Sequence, residues 1–274
     1  MINQPRSGLS PLTCSCYSPW LREFEKTNST GHRHELLDSD NENILKLSNP
    51  ELDRKIGGLP LPSLSLVEGA NDSGKTILAQ QVTYGALKAG KRVIYITTED
   101  TVKGLLTNME RLNWNISDYF LVGNFRITAL NTINMKWNEE ISKYYLIALT
   151  NYIRQRASVY DVVIIDSMTH LLTHADESDI LDFFSTCRFI VDQLGQTFFI
   201  TMHPYAIDQE LLIRIRAFCD GHIILEIKTF RDKTALTMNI AKLKGATKNV
   251  SDVISFEVNP AYGIKILPFS SARG

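Results

Sequence analysis

With 274 residues, 44% of them hydrophobic, the chain is long enough for one large core and, by length alone, for two domains. Lys and Arg number 29 against 30 for Asp and Glu, a balance that argues against a protein built to coat nucleic acid or an anionic membrane. No apolar run approaches the ~20 residues of a spanning helix, and the opening MINQPRSGLSPL has no apolar signal-peptide core, so a soluble cytoplasmic protein is expected.

Residues 1–44 are rich in Ser, Thr, Asn, Pro and charge, with an acidic run, LLDSDNEN. A flexible tail is expected there; its one apolar patch, YSPWLREF, reads alternatively as an amphipathic turn that docks on something. Cys14 and Cys16, with His32 and His34, can be drawn as a metal site, but zinc sites use C-x-x-C spacing and the surroundings are unpatterned. Four cysteines are too few for a disulfide scaffold of this length. Cys187 and Cys219 lie in apolar surroundings and read as core thiols.

From Leu45 the pattern changes, and residues 45–274 read as one domain. SLSLVEG (63–69) is a short buried strand, and Lys75 to Ala89 a helix ended by Gly90. RVIYITTE is a β-rich run, Thr101 to Leu112 a helix and FRITAL a short strand. Asn138 to Ala157 carries apolar residues at helical spacing. YDVVIIDS is a continuous apolar strand ending in a carboxylate. Ile180 to Leu194 is an amphipathic helix, and QTFFITMH the next buried strand. The last third, HIILEIKTF, KTALTMNIAKLKG, DVISFEV and GIKILP, reads as strands joined by short turns. Asn49-Pro50 and NPAYG near the C-terminus read as turns. Alternating helices and fully apolar strands define an α/β fold, a mainly parallel sheet covered on both faces, with an antiparallel C-terminal extension.

Gly69-Ala70-Asn71-Asp72-Ser73-Gly74-Lys75-Thr76 fits G-x-x-x-x-G-K-[ST] between a strand and a helix, the context the phosphate-binding loop requires. Small residues let backbone N–H groups curl around an anion, and the following helix adds its positive N-terminal end. Lys75 would reach the phosphates, and the Thr76 hydroxyl would ligate Mg²⁺. Asp166 ends a buried strand, where a carboxylate faces the ligand crevice and can hold Mg²⁺; its other reading is a helix cap. Glu99 and Asp100 emerge at the same edge. Glu99 there is a candidate base for an attacking water, Asp100 a weaker one, and both also read as caps of the next helix. His203 ends another central strand, as a sensor of a terminal phosphate or as a structural hydrogen-bonding residue.

These segments, in the order NPELDRKIGGLPLPSLSLVEG, GANDSGKT, ITTED, VVIIDS, ITMHP and ISFEVNPAYGIKILPFS, together with LNTINMKWN (130–138), resemble the RecA/KaiC-like ATPases. Within them they look most like the accessory ATPases of the archaeal swimming motor, the archaellum. The resemblance runs from about Leu45 to the end and implies a three-layer sandwich. It implies ATP held by residues Gly69 to Ile77, with Mg²⁺ on Thr76 and Asp166 and Glu99 as the catalytic carboxylate. It also implies that Lys242 and Lys244, in AKLKG, reach a neighbour's nucleotide in a homo-oligomeric ring such as a hexamer. Residues two apart on a strand share a face, but lysines equally protect an exposed edge strand. The implied partners are the motor ATPase FlaI and the membrane platform FlaJ, at the cytoplasmic base of the motor. The implied role is that of an ATP-binding regulatory subunit with weak or absent hydrolysis. Two alternatives remain, a cycling ATPase in recombination and a signalling ATPase; the absence of a basic arm or an aromatic–basic stripe argues against stable nucleic-acid binding. One departure stands out. Asp72 sits where family loops carry glycine; Asp tolerates positive φ, yet its charge should weaken phosphate binding unless it faces away.

Overall fold

The computed structural model describes residues 43–130, 135–230, 233–245, 253–260 and 263–267. The chain divides into two units, Met1–Ser39 and Asp40–Gly274. The tail over 1–44, its YSPWLREF patch and the Cys14, Cys16, His32, His34 set lie almost wholly outside the described residues, as do residues 131–134 of LNTINMKWN.

Strands β1 (Ile44–Leu45) and β2 (Leu59–Pro60) form a small antiparallel pair, with helix α1 (Pro50–Ile56) between them. Asn49-Pro50 is therefore not a simple turn. The Asn49 side chain accepts the N–H of Leu52 and Pro50 opens the helix, the combination that starts helices because proline lacks the N–H a first turn leaves unpaired. The Asn49 amide also donates to the Ile264 carbonyl at 2.6 Å, which ties α1 to the last strand.

The main sheet has nine strands, in the order β11-β10-β9-β8-β3-β7-β6-β4-β5. Their ranges are β3 Leu64–Gly69, β4 Val93–Thr97, β5 Phe125–Ala129, β6 Val162–Asp166, β7 Thr197–Met202, β8 Gly221–Phe230, β9 Lys233–Leu243, β10 Ile254–Asn259 and β11 Gly263–Ile266. From β8 through β5 the neighbours run parallel; β9, β10 and β11 add on antiparallel. The mainly parallel sheet with its antiparallel extension is the one the sequence pattern predicts.

Side-chain alternation explains the continuous apolar runs. Val67, Tyr95, Ile164 and Phe199 pack on one face, with helices α2 (Lys75–Lys88) and α3 (Val102–Arg111). Leu66, Ile94, Ile165 and Ile200 pack on the other, with α5 (Glu139–Arg154), α6 (Thr169–Thr173), α7 (Glu177–Leu194) and α8 (Gln209–Phe218). A strand covered on both sides has no solvent face to reserve for polar residues. Short α4 (Ser117–Leu121) leads into β5. Helix α8 falls in a stretch to which the sequence reading assigns no element. Gly85 of α2 is required by packing, since a Cβ there would stand 2.5 Å from the Leu47 backbone. Cys187 and Cys219 are buried free thiols, as expected of core residues. Burial pushes both up, Cys219 to about 12.

Candidate functional site

The C-terminal ends of β3, β4, β6 and β7 converge on one edge of the sheet. β3 runs out at Gly69 into the loop 70–74, and α2 begins at Lys75. Two loop residues turn through positive φ, Asp72 at 59° and Gly74 at 94°. Asp72 thus occupies the left-handed region that its residue type tolerates. Gly74 has a second constraint, because a Cβ there would lie 3.2 Å from the Phe256 ring. At Gly69 a Cβ would meet Ser73 Oγ at 2.3 Å and the Leu225 carbonyl at 2.9 Å. No side chain caps the first turn of α2, so its leading N–H groups remain available to an anion.

Lys75 is only 6% exposed, and its ammonium donates to the carbonyls of Gly69 at 2.9 Å and Ala70 at 2.7 Å. Burial lowers its pKa, and the charges of Glu99, Asp166 and Asp72 oppose that shift. Asp166, the last residue of β6, is 1% exposed. One carboxylate oxygen accepts the Thr201 hydroxyl and the other the Tyr95 hydroxyl, each at 2.7 Å. Burial raises its pKa, while these hydroxyls and Thr76 stabilise the charged form. Asp166 is no helix cap: its partners come from β4 and β7. The Asp166–Ser167 peptide bond is cis.

A cavity of about 470 Å³ opens over this edge. Asn71, Asp72, Lys75, Thr76, Glu99 and His203 give it a polar side; Ile77, Leu236 and Val258 give it an apolar one. Glu99 and Asp100 part company. Asp100 holds the Thr101 N–H at 2.7 Å and the Asn108 amide at 3.0 Å, tying down the start of α3. Glu99 lines the cavity, and its Oε1 accepts the Ser167 hydroxyl at 2.7 Å. His203 is 5% exposed. Its backbone N–H donates to Thr169 Oγ1 at 3.1 Å, and its Nδ1 is buried with no hydrogen-bond partner among the described residues. Burial, then the Lys75 charge, lowers its pKa, which favours the neutral ring. Lys242 and Lys244 are not brought to this cavity. Lys242 pairs in register with His222, toward the opposite end of β8, and donates to the Arg216 carbonyl at 3.3 Å. Lys244 lies beyond the end of β9, 60% exposed and 3.6 Å from Asp220.

Sequence reasoning missed the residues that hold these groups in place. Tyr95, Thr201, Ser167 and Thr169 are partners of Asp166, Glu99 and His203. Ser167 was visible beside Asp166, but its partner Glu99 is 68 residues away in sequence.

Comparison with known proteins agrees with this architecture. The family model described as the KaiC ATPase matches residues 46–271. The archaeal flagellar ATP-binding protein FlaH of Sulfolobus acidocaldarius is 33% identical over 84% of this chain and 99% of its own length. The protein of the same name from Methanocaldococcus jannaschii is 27% identical over 81% of this chain and 94% of its own length. A crystal structure of the latter organism's flagellar accessory protein FlaH superposes with a TM-score of 0.74 at 26% identity, over 82% of this chain and 99% of that one. The chain belongs to the KaiC family of ATPases, in its FlaH branch.

Proposed function

We propose that the protein is an ATP-binding regulatory subunit of the archaellum motor, whose nucleotide occupancy sets assembly with its partners. The observation that carries this reading is the cavity that Lys75, Thr76, Glu99 and His203 line together. The residues fit the ligand. The free first turn of α2 and the Lys75 ammonium suit a phosphate chain. The apolar side formed by Ile77, Leu236 and Val258 suits a nucleobase. A hydroxyl and a carboxylate, Thr76 and Asp166, are the hard oxygen donors that Mg²⁺ prefers. When bound, the metal would neutralise phosphate charge.

In this reading the protein is cytoplasmic at the motor base, and ATP favours a homo-oligomeric ring, such as a hexamer, that engages the motor ATPase FlaI beneath the platform FlaJ. A bound ligand shifts such an equilibrium only through differential affinity for the two states, so holding ATP serves it better than turnover. Lys242 and Lys244 support the ring. Remote from their own cavity, they belong to a surface that a head-to-tail assembly presents to a neighbour. No helix among the described residues is long and apolar enough to cross a membrane, consistent with membrane attachment through partners.

The test is sedimentation of the purified protein with FlaI in ATP, in ADP and without nucleotide. Assembly in ATP alone supports the regulatory reading. Equal assembly in all three refutes it.

A further inference from the structure

Glu99, the candidate base, does not stand free. Ser167, fully buried at the end of β6, donates its hydroxyl to Glu99 Oε1 at 2.7 Å. Ser167 Oγ also lies 3.1 Å from Thr169 Oγ1, and Thr169 Oγ1 accepts the backbone N–H of His203 at 3.1 Å. A serine hydroxyl has one hydrogen. The shorter, charge-assisted contact to the carboxylate takes it, so the contact to Thr169 is completed by the threonine's own hydrogen. The donors then all point one way: His203 N–H to Thr169, Thr169 to Ser167, Ser167 to Glu99. Hydrogen bonds aligned in series polarise one another and strengthen the last. Ser167 itself is pinned by Thr98, whose Oγ1 donates to the Ser167 carbonyl at 2.9 Å and accepts its N–H at 3.3 Å. The upstream end of the series is His203, whose orphaned Nδ1 is buried at the cavity wall.

We infer that Ser167 is a positioning residue that tethers the Glu99 carboxylate away from a base's task, and that Thr169 couples this tether to His203. The inference rests on the nucleotide-site reading above. In the step at stake Glu99 takes a proton from water as the water oxygen bonds to the terminal phosphorus. The bridging P–O bond breaks, and its electron pair leaves on the diphosphate. A carboxylate drawn to the strand end by a charge-assisted bond must break that bond to reach the water, which slows hydrolysis and favours retention of ATP.

The test compares wild type with Ser167→Ala, Thr169→Ala, Thr169→Ser and the double variant Ser167→Ala/Glu99→Gln. ATP binding is measured by equilibrium dialysis, conversion of bound ATP by single turnover, and folding by thermal melting. Ser167→Ala should bind ATP within about threefold of wild type yet convert it ~10-fold faster or more, the factor a charge-assisted bond supplies. Thr169→Ala, which keeps that bond and removes only the neighbour that polarises it, should bind alike and convert faster by a smaller factor, about two- to threefold. Thr169→Ser, which keeps the hydroxyl, should match wild type, and the double variant should convert none. A crystal structure of nucleotide-free Ser167→Ala should show the Glu99 carboxylate withdrawn from the place it holds beside residue 167. If Ser167→Ala does not fold, Thr169→Ala against Thr169→Ser carries the same comparison. Variants that bind ATP and melt like wild type but convert no faster would overturn the tether. Failure of wild type itself to bind ATP would instead overturn the nucleotide-site reading on which it stands.

Discussion

Arg216 of α8 grips Glu68 of β3 through two hydrogen bonds, Nε to Oε1 at 2.8 Å and Nη2 to Oε2 at 2.6 Å. His222 Nε2 stands 2.8 Å from the same Glu68 Oε1. Glu68 is 2% exposed and immediately precedes Gly69, so this pair anchors the strand from which the phosphate-binding loop springs. Burial by itself would raise the carboxyl pKa. The two hydrogen bonds from Arg216, with the close contact of the His222 ring, outweigh it and hold the value at about 2 against an ordinary 4.5. A depressed carboxyl contributes stability above its unfolded value and loses it as the folded group protonates. The contribution, on the order of 3 kcal/mol, should be full above pH 5 and vanish between about 4.5 and about 2.

Arg216→Ala leaves the buried carboxylate with His222 alone beside it and should cost about 3 kcal/mol. Urea melts across pH 7 to 3 check both points: the variant should be less stable at pH 7 and show a flatter loss on acidification. Equal pH slopes would contradict the pairing.

Asp72 is exposed and lines the cavity, and its charge reaches Lys75. A carboxylate a few ångströms from a phosphate chain at the protein surface costs about 1 kcal/mol. Asp72→Gly should therefore bind ATP roughly fivefold more tightly, and glycine accommodates the 59° φ without strain. Dialysis affinities at low and physiological salt measure it; equal affinities would remove the charge penalty.

Gly74→Ala places a Cβ at φ 94° and 3.2 Å from Phe256. The backbone cost alone is about 1–2 kcal/mol, and β10 or the loop must move to relieve the contact. The variant should melt lower and lose ATP binding more than tenfold. Calorimetry of ATP binding on protein shown to be folded separates the two losses.

How much was legible follows from which interactions are local. The loop 69–76 and the strands β6 and β7 were readable because spacing and uninterrupted Val, Ile and Phe runs are properties of consecutive residues. Helix α8 also carries a local signal: Asp208 accepts the Leu211 N–H, and Leu211, Leu212 and Ile215 recur at helical spacing inward. Asn49-Pro50 is a helix start that resembles a turn when its capping partner is unseen. The Glu68–Arg216 pair joins residues 148 apart, which only the strand order brings together. Asp100 and Glu99 are adjacent in sequence, and nothing local says that one is spent on holding the Thr101 N–H and the Asn108 amide while the other lines the cavity.

Lys242 and Lys244 test the ring. Lys244 is largely exposed, and its 3.6 Å contact with Asp220 is a loose pair at the surface. Replacing either lysine by alanine should change stability by less than about 1 kcal/mol, yet abolish ATP-dependent assembly followed by light scattering. Assembly that survives the double replacement would assign these lysines to edge protection alone.

The most direct measurement loads the protein with ATP and Mg²⁺, removes free nucleotide and follows the identity of what stays bound. The account predicts ATP persisting over hours in wild type, held by the loop 69–76 while Glu99 remains tethered. Prompt conversion to ADP in wild type, abolished in Glu99→Gln, would contradict it and make the protein a cycling ATPase.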